Sequence, residues 1–204
     1  MQNIKNVIFD LGGVILDIDY NLTRKAFEKL GVTHFDDMYS QASADKLFQK
    51  LETGHVEEDD FYKELNRCTG LQLSPEEIRK AWNAMLLSYR EKSLEYLETL
   101  RPKYKIFLLS NTNFIHLNEL EKIFNLQKRN KTFDQYFDKA FYSCAIGLRK
   151  PDRECYDWVI NDLKIEPSAT IFIDDLAQNI DGAKESGLQT IHLKQGSKIE
   201  DLGL

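Results

Sequence analysis

A chain of 204 residues, 42% hydrophobic and 29% charged, has a globular make-up and room for one sizeable domain or a core domain with a small second unit. Its net charge of −6 argues against nucleic acid and anionic membranes as partners, and no apolar run approaches the ~20 residues that span a bilayer. The N-terminus lacks the charged-then-apolar pattern of a secretory signal, and Cys68, Cys144 and Cys155 lack metal-ligand spacing, so free thiols in a cytoplasmic protein are expected.

Val7-Ile8-Phe9-Asp10 is an apolar run that ends on an acid and meets Gly12-Gly13 at once, which reads as a buried strand delivering Asp10 to a sheet edge. Asp17 to Asn21 is a connector whose polar groups can cap a helix beginning near Leu22. From there to about residue 101 the patterns are helical: Ala26, Phe27 and Leu30 share a face, as do Leu47, Phe48 and Leu51, and Phe61, Tyr62 and Leu65. Ser74-Pro75-Glu76-Glu77 starts a further helix, with Ser74 as N-cap and Glu77 closing a capping box, and its stripe is Ile78, Trp82, Met85 and Leu86. A second buried strand, 104–110, ends on Ser110 and leads through Asn111-Thr112-Asn113 into a helix over 114–124. After a polar loop at 127–131 come a strand at 139–142, a helix over 152–163, a strand at 170–175 ending on Asp174-Asp175, a helix over 177–186 and a strand at 188–193.

Strands alternating with helices indicate an α/β fold: a Rossmann-like, doubly wound parallel sheet core with an inserted all-helical cap after the first strand. The core is placed at residues 1–16 and 102–204 and the cap at 17–101, with hinges near 17–21 and 100–103. Asp10, Ser110 and Asp174-Asp175 all end strands of one parallel sheet, so they converge at its C-terminal edge. Several carboxylates in one place need a cation to offset their repulsion, and oxygen-only ligands suit Mg²⁺. Ser110 and the backbone N–H groups at Asn111-Thr112, close to a helix start, can hold a phosphate, and Lys150 can neutralise it. Together these groups read as a magnesium-dependent phosphoryl-transfer site.

At this point the chain resembles the haloacid dehalogenase-like superfamily over nearly its whole length. Asp10 matches the nucleophile of the first motif, Ser110-Asn111-Thr112 the second, Gly147-Leu148-Arg149-Lys150-Pro151-Asp152 the lysine motif, and Asp174-Asp175 with Asn179 the acidic motif. The likeness is nearest to small bacterial sugar-phosphate phosphatases, including those acting on α-glucose 1-phosphate, and to the phosphatase domain of soluble epoxide hydrolases. It implies attack by Asp10 on phosphorus to give an aspartyl-phosphate, which water hydrolyses. It also implies Mg²⁺ held by Asp10, the Gly12 carbonyl and Asp175, with Asp174 acting through water, a phosphoryl group held by Ser110, Asn111 and Lys150, and a cis bond at Lys150-Pro151.

The chain departs from the pattern at Gly12, where such phosphatases carry a second aspartate that protonates the leaving group. The preferred expectation is a phosphatase of a small phosphorylated metabolite, a sugar phosphate such as a hexose 1-phosphate, whose leaving group needs little acid help; Asp17 or Asp19 could also donate the proton. The alternatives are a non-catalytic phosphate- and metal-binding regulatory protein on the same scaffold, or a metal-independent 2-haloacid dehalogenase. The turn Glu52 to Val56 offers Gly54 and His55 as substrate contacts, while His34, Tyr39, Trp82 and Tyr89 are pocket lining or core. A monomer or homodimer is expected.

Overall fold

In the computed structural model, which describes residues 3–39, 47–127 and 129–204, five parallel strands lie in the order β5-β4-β1-β6-β7. They are β1 (Asn6–Phe9), β4 (Lys105–Ser110), β5 (Lys139–Tyr142), β6 (Thr170–Asp174) and β7 (Gln189–His192). Position 128 of the loop expected at 127–131 falls outside the described residues. Strand β1 is buried along its whole length and sits between β4 and β6, with Phe9 level with Leu108 on one side and Ile173 on the other.

The alternation of a strand sorts its side chains onto two faces. Val7, Phe9, Ile106, Leu108, Ile171 and Ile173 pack against α6 (Glu91–Leu100) and α7 (Phe114–Leu126). Ile8, Phe107, Leu109 and Phe172 pack against α9 (Arg153–Leu163) and α10 (Ala177–Glu185). Helices on both faces account for the continuous apolar runs that made these strands readable.

A separate apolar cluster is built by α1 (Tyr20–Lys29), α2 (Phe35–Tyr39), α3 (Leu47–Glu52), α4 (Glu58–Thr69) and α5 (Pro75–Asn83). Phe48, Phe61 and Trp82 meet at its centre, with ring centroids 5.1–5.8 Å apart. The capping box at Ser74 forms as expected, with Ser74 Oγ accepting the Glu77 N–H and Glu77 Oε2 accepting the Ser74 N–H.

The segment after β1 is not purely helical, because β2 (Leu16–Ile18) and β3 (Leu86–Tyr89) pair antiparallel as a two-stranded ribbon. Leu86, expected on a helix stripe, lies in β3: α5 ends at Asn83, the buried Thr23 hydroxyl accepts the Met85 N–H and donates to the Trp82 carbonyl, and the chain leaves extended. Helix α6, expected within 17–101, puts Leu94, Leu97 and Leu100 into the sheet's own cluster.

The α1–α5 cluster also receives one residue from the sheet's helices, Ile115 of α7. Its neighbour His116 stacks on Trp82, with ring centroids 4.9 Å apart, and donates from Nδ1 to Asn83 Oδ1 at 2.8 Å. His116 is buried, because the α1–α5 unit folds back over the start of α7. Among the described residues no helix is long and apolar enough to cross a membrane.

Burial lowers the His116 pKa to about 3. A folded-state value below the unfolded one means that its contribution to stability is present above pH ~6.5 and is lost as pH falls toward 3. Chemical denaturation between pH 7 and 5 should therefore show a steeper loss of stability for the wild type than for His116→Phe, which keeps the stack on Trp82 and cannot titrate. Equal slopes would mean that the ring is not held neutral.

Candidate active site

Asp10 follows β1 directly, and its N–H donates to the Ile173 carbonyl at 2.9 Å, which fixes the acid at the seam between β1 and β6. Lys150, 1% exposed, extends into the same seam, with Nζ 2.5 Å from Asp10 Oδ1 and 2.7 Å from Asp174 Oδ2. Its loop is held by Asn111, whose side chain accepts the Lys150 N–H at 2.9 Å and donates to the Lys150 carbonyl at 2.8 Å. The Lys150-Pro151 bond is cis.

Asp174 is wholly buried and fully engaged. Besides Lys150 it accepts from the Leu176 N–H and, through both carboxylate oxygens, from Asn179 Nδ2. Asp175 is only partly buried, and one carboxylate oxygen from each of Asp10, Asp174 and Asp175 lies within 4.8 Å of the others. Gly13 makes that approach possible: it has φ +72°, and a Cβ there would lie 2.2 Å from Asp175 Oδ2.

The electrostatics follow from burial and from the count of charges. Burial raises the Asp10 pKa, opposed by Lys150 and reinforced by Asp174, to about 7. Burial works against the Lys150 ammonium, but Asp10 and Asp174 outweigh it and hold Lys150 above the ordinary lysine value. Burial and the Asp174 charge raise Asp175 as well. Three carboxylates against one ammonium leave an excess of negative charge that a divalent cation offsets, and an all-oxygen donor set fits Mg²⁺.

Ser110 ends β4, the strand next to β1, and is buried. The Thr112 N–H, expected to be free for an anion, donates instead to Ser143 Oγ at 2.8 Å. Asn113 caps α7 by accepting the His116 N–H. Asp19 caps α1 by accepting the Asn21 N–H, and Asp17 pairs with Arg90 Nε at 2.6 Å, so both acids named as substitute proton donors are committed elsewhere. Gly54 has φ +68°, and a Cβ there would lie 2.2 Å from the Cys144 carbonyl, so the helical unit approaches the sheet unit closely at this turn. His55 is exposed, with Nδ1 2.8 Å from Thr53 Oγ1. Trp82 and Tyr89 are core residues, Tyr39 is partly buried and His34 is exposed.

The sequence reading passed over an ion pair beside Lys150. Glu52, at the end of α3, lies with Oε2 2.9 Å from Arg149 Nη2, both side chains being largely buried. The pair is close but misaligned for a hydrogen bond, and burial keeps the Glu52 pKa raised despite Arg149. A charged residue adjoining the apolar stripe of α3, and a second cation beside Lys150, were the available signals.

Residues 4–187 match the model of the haloacid dehalogenase-like hydrolase family. The chain belongs to that family. Within it, the chain is 36% identical over 195 residues to D-ribitol-5-phosphate phosphatase of Bacteroides thetaiotaomicron, covering 95% of this chain and 94% of that protein. A HAD family enzyme from the same organism, solved in complex with magnesium and inorganic phosphate, superposes with a TM-score of 0.89 at 32% identity over 98% of both chains. A HAD-like hydrolase of Porphyromonas gingivalis superposes with a TM-score of 0.88 at 31% identity over 98% of this chain and 97% of that one.

With Asp10 raised to about 7, the metal-free site holds a proton near neutrality that a cation must displace. Calorimetric titration with Mg²⁺ should show affinity falling steadily from pH 8 to pH 6. Affinity that stays constant over that range would place an already ionised Asp10 in the empty site.

Proposed function

We infer that this hydrolase is a Mg²⁺-dependent phosphatase of a small phosphorylated metabolite, a sugar or sugar-alcohol phosphate, working in the cytoplasm. The single observation that carries this reading is the buried Lys150 ammonium between Asp10 and Asp174, with Asp175 alongside. A buried lysine shared by two carboxylates is poised for an anion that arrives with a cation. The kinship to a ribitol-phosphate phosphatase and the magnesium and phosphate bound by a related enzyme support the same substrate class.

In this reading Asp10 is the nucleophile. It attacks phosphorus in line, the bond to the leaving oxygen breaks as a water molecule supplies that oxygen's proton, and a second water then cleaves the aspartyl-phosphate to free inorganic phosphate and Asp10. Lys150 and Ser110, with the backbone N–H of Asn111, hold the phosphoryl oxygens; the Asn111 side chain positions Lys150. Asp10, the Gly12 carbonyl and Asp175 would hold Mg²⁺, with Asp174 reaching it through water, and the bound ion would supply shielding of the attacking carboxylate and stabilisation of charge on the transferring group. Asp174 fixes the direction of Lys150, because its own oxygens are filled by Asn179, Leu176 and Lys150.

Gly12 cannot protonate the leaving oxygen, which favours leaving groups that depart with little acid help; a hexose 1-phosphate, leaving as a hemiacetal, is one. Gly54 and His55 belong to the turn that faces the Lys150 loop and supply contacts to the organic part of the substrate. The cap is the segment between β2 and β3, shorter than 17–101 because α6 packs with the sheet.

A panel of phosphorylated sugars and sugar alcohols, including ribitol 5-phosphate and hexose 1-phosphates, should release phosphate with Mg²⁺ and not with chelator. Asp10→Asn should lower kcat by about 10³-fold or more, as loss of a nucleophile does. Activity unchanged in Asp10→Asn, or halide release from a 2-haloacid in chelator, would reject the reading.

A further inference from the structure

We propose that Arg90 is a positioning residue for the metal site, holding the Gly12-Gly13-Val14 loop in the shape in which Asp10, the Gly12 carbonyl and Asp175 take a divalent cation. This rests on the phosphatase reading only for the identity of the cation's ligands. Arg90 sits between β3 and α6, about 75 residues along the chain from the loop it touches. Its backbone N–H donates to the Ile15 carbonyl at 2.8 Å. Its Nη1 donates to two consecutive carbonyls, Gly13 at 2.7 Å and Val14 at 2.9 Å, and its Nε donates to Asp17 Oδ1 at 2.6 Å. The side chain is 15% exposed, so these bonds are largely sheltered from water.

The loop needs such a clamp. Gly13 is in the left-handed region and has no side chain to anchor it, and Asp175 rests against its Cα. The Gly13 N–H donates to the Leu16 carbonyl at 2.8 Å, which sets the plane of the Gly12-Gly13 peptide and turns the Gly12 carbonyl away from β2. Arg90 fixes the next two peptide planes. The Val14, Ile15 and Leu16 N–H groups, which all donate to the Leu11 carbonyl, hold the far side of the turn, and Arg90 adds the bonds to the Gly13 and Val14 carbonyls, so that losing it loosens the two peptides beside Asp175.

Two effects of Arg90 oppose each other. Its positive charge acts on Asp175 and by itself disfavours a nearby cation. Asp17 largely neutralises that charge at 2.6 Å, so the positional effect outweighs the electrostatic one. Arg90 also joins β2, through Asp17, to the end of β3, so both connectors of the helical unit are tied to the metal loop by one side chain.

The test is calorimetric titration of Mg²⁺ into the wild type, Arg90→Met, Arg90→Lys and Asp17→Asn, with melting temperatures and phosphatase kinetics measured in parallel. Arg90→Met should weaken Mg²⁺ binding by about 10–100-fold, the usual cost of losing a group that orients metal ligands. Arg90→Lys keeps the charge without the fork and should fall between Arg90→Met and the wild type. In Arg90→Met, kcat should recover substantially at saturating Mg²⁺, with KM for the phosphate ester little changed. A lowered melting temperature with wild-type Mg²⁺ affinity, or an affinity that rises, overturns the proposal. If Arg90→Met does not fold, Arg90→Lys decides: it keeps the charge and loses the paired carbonyl bonds, so Mg²⁺ binding weaker than in Asp17→Asn, which keeps those bonds and only unmasks the charge, is expected, and binding as tight as in the wild type is the contrary result. A wild type that binds Mg²⁺ without hydrolysing any phosphate ester rejects the phosphatase reading and leaves the Arg90 comparison intact. A wild type that hydrolyses with Mg²⁺ while Arg90→Met binds the ion normally rejects only this proposal.

Discussion

The Lys150 ammonium, closed off from water between Asp10 and Asp174, is the interaction on which the rest of the arrangement depends. A buried charge is tolerated only with its partners in place, and removing one partner of such a pair commonly costs about 3–5 kcal/mol. Each partner is supplied by a different part of the chain: Asp10 by β1, Asp174 by β6, and the lysine by a loop pinned to the end of β4 through Asn111. Those three strands are neighbours in the order β4-β1-β6, and their parallel direction brings all three ends to one edge. An antiparallel arrangement would send one of the ends to the opposite side.

The excess of carboxylates over cations at this edge gives the site its chemistry. Asp174 is filled by hydrogen bonds from Asn179, Leu176 and Lys150, whereas Asp175 is left partly open above Gly13. Two adjacent acids in the same short turn thus have different duties, one directing the lysine and the other free to meet a cation. The raised pKa values of Asp10 and Asp175 express the same imbalance, since burial and mutual repulsion both disfavour the charged form until a cation arrives.

How much of this was legible in the sequence depends on the range of the forces involved. β1, β4 and β6 were readable because a strand covered on both faces must be apolar throughout, and the polar residue ending each run marks the sheet edge. Asp10, Ser110, Lys150 and Asp174-Asp175 could be gathered from that pattern. β2 and β3 were not readable: at three and four residues each they are stable only through each other, and Leu16 and Tyr89 are far apart in sequence. Arg90 escaped notice for the same reason, since its partners are backbone carbonyls, which carry no residue signature. His116 owes its burial to Trp82 and Asn83 on another unit, contacts that no pattern within its own helix signals.

The contacts between the helical unit and the sheet unit are unequal. On one side Ile115 is buried in the helical cluster and His116 is stacked on Trp82, an apolar contact of which a single Ile side chain is worth about 1.5–3 kcal/mol. On the other side the turn after α3 rests on Cys144 through Gly54, and Glu52 faces Arg149 in a close but misaligned ion pair. The second contact is the cheaper to break, because its charges regain water when separated and little apolar surface is lost. The α1–α5 unit is therefore held to the sheet unit more firmly at α7 than at the Lys150 loop. The β2–β3 ribbon lies between that unit and α6, whose Leu94, Leu97 and Leu100 pack in the sheet's own cluster.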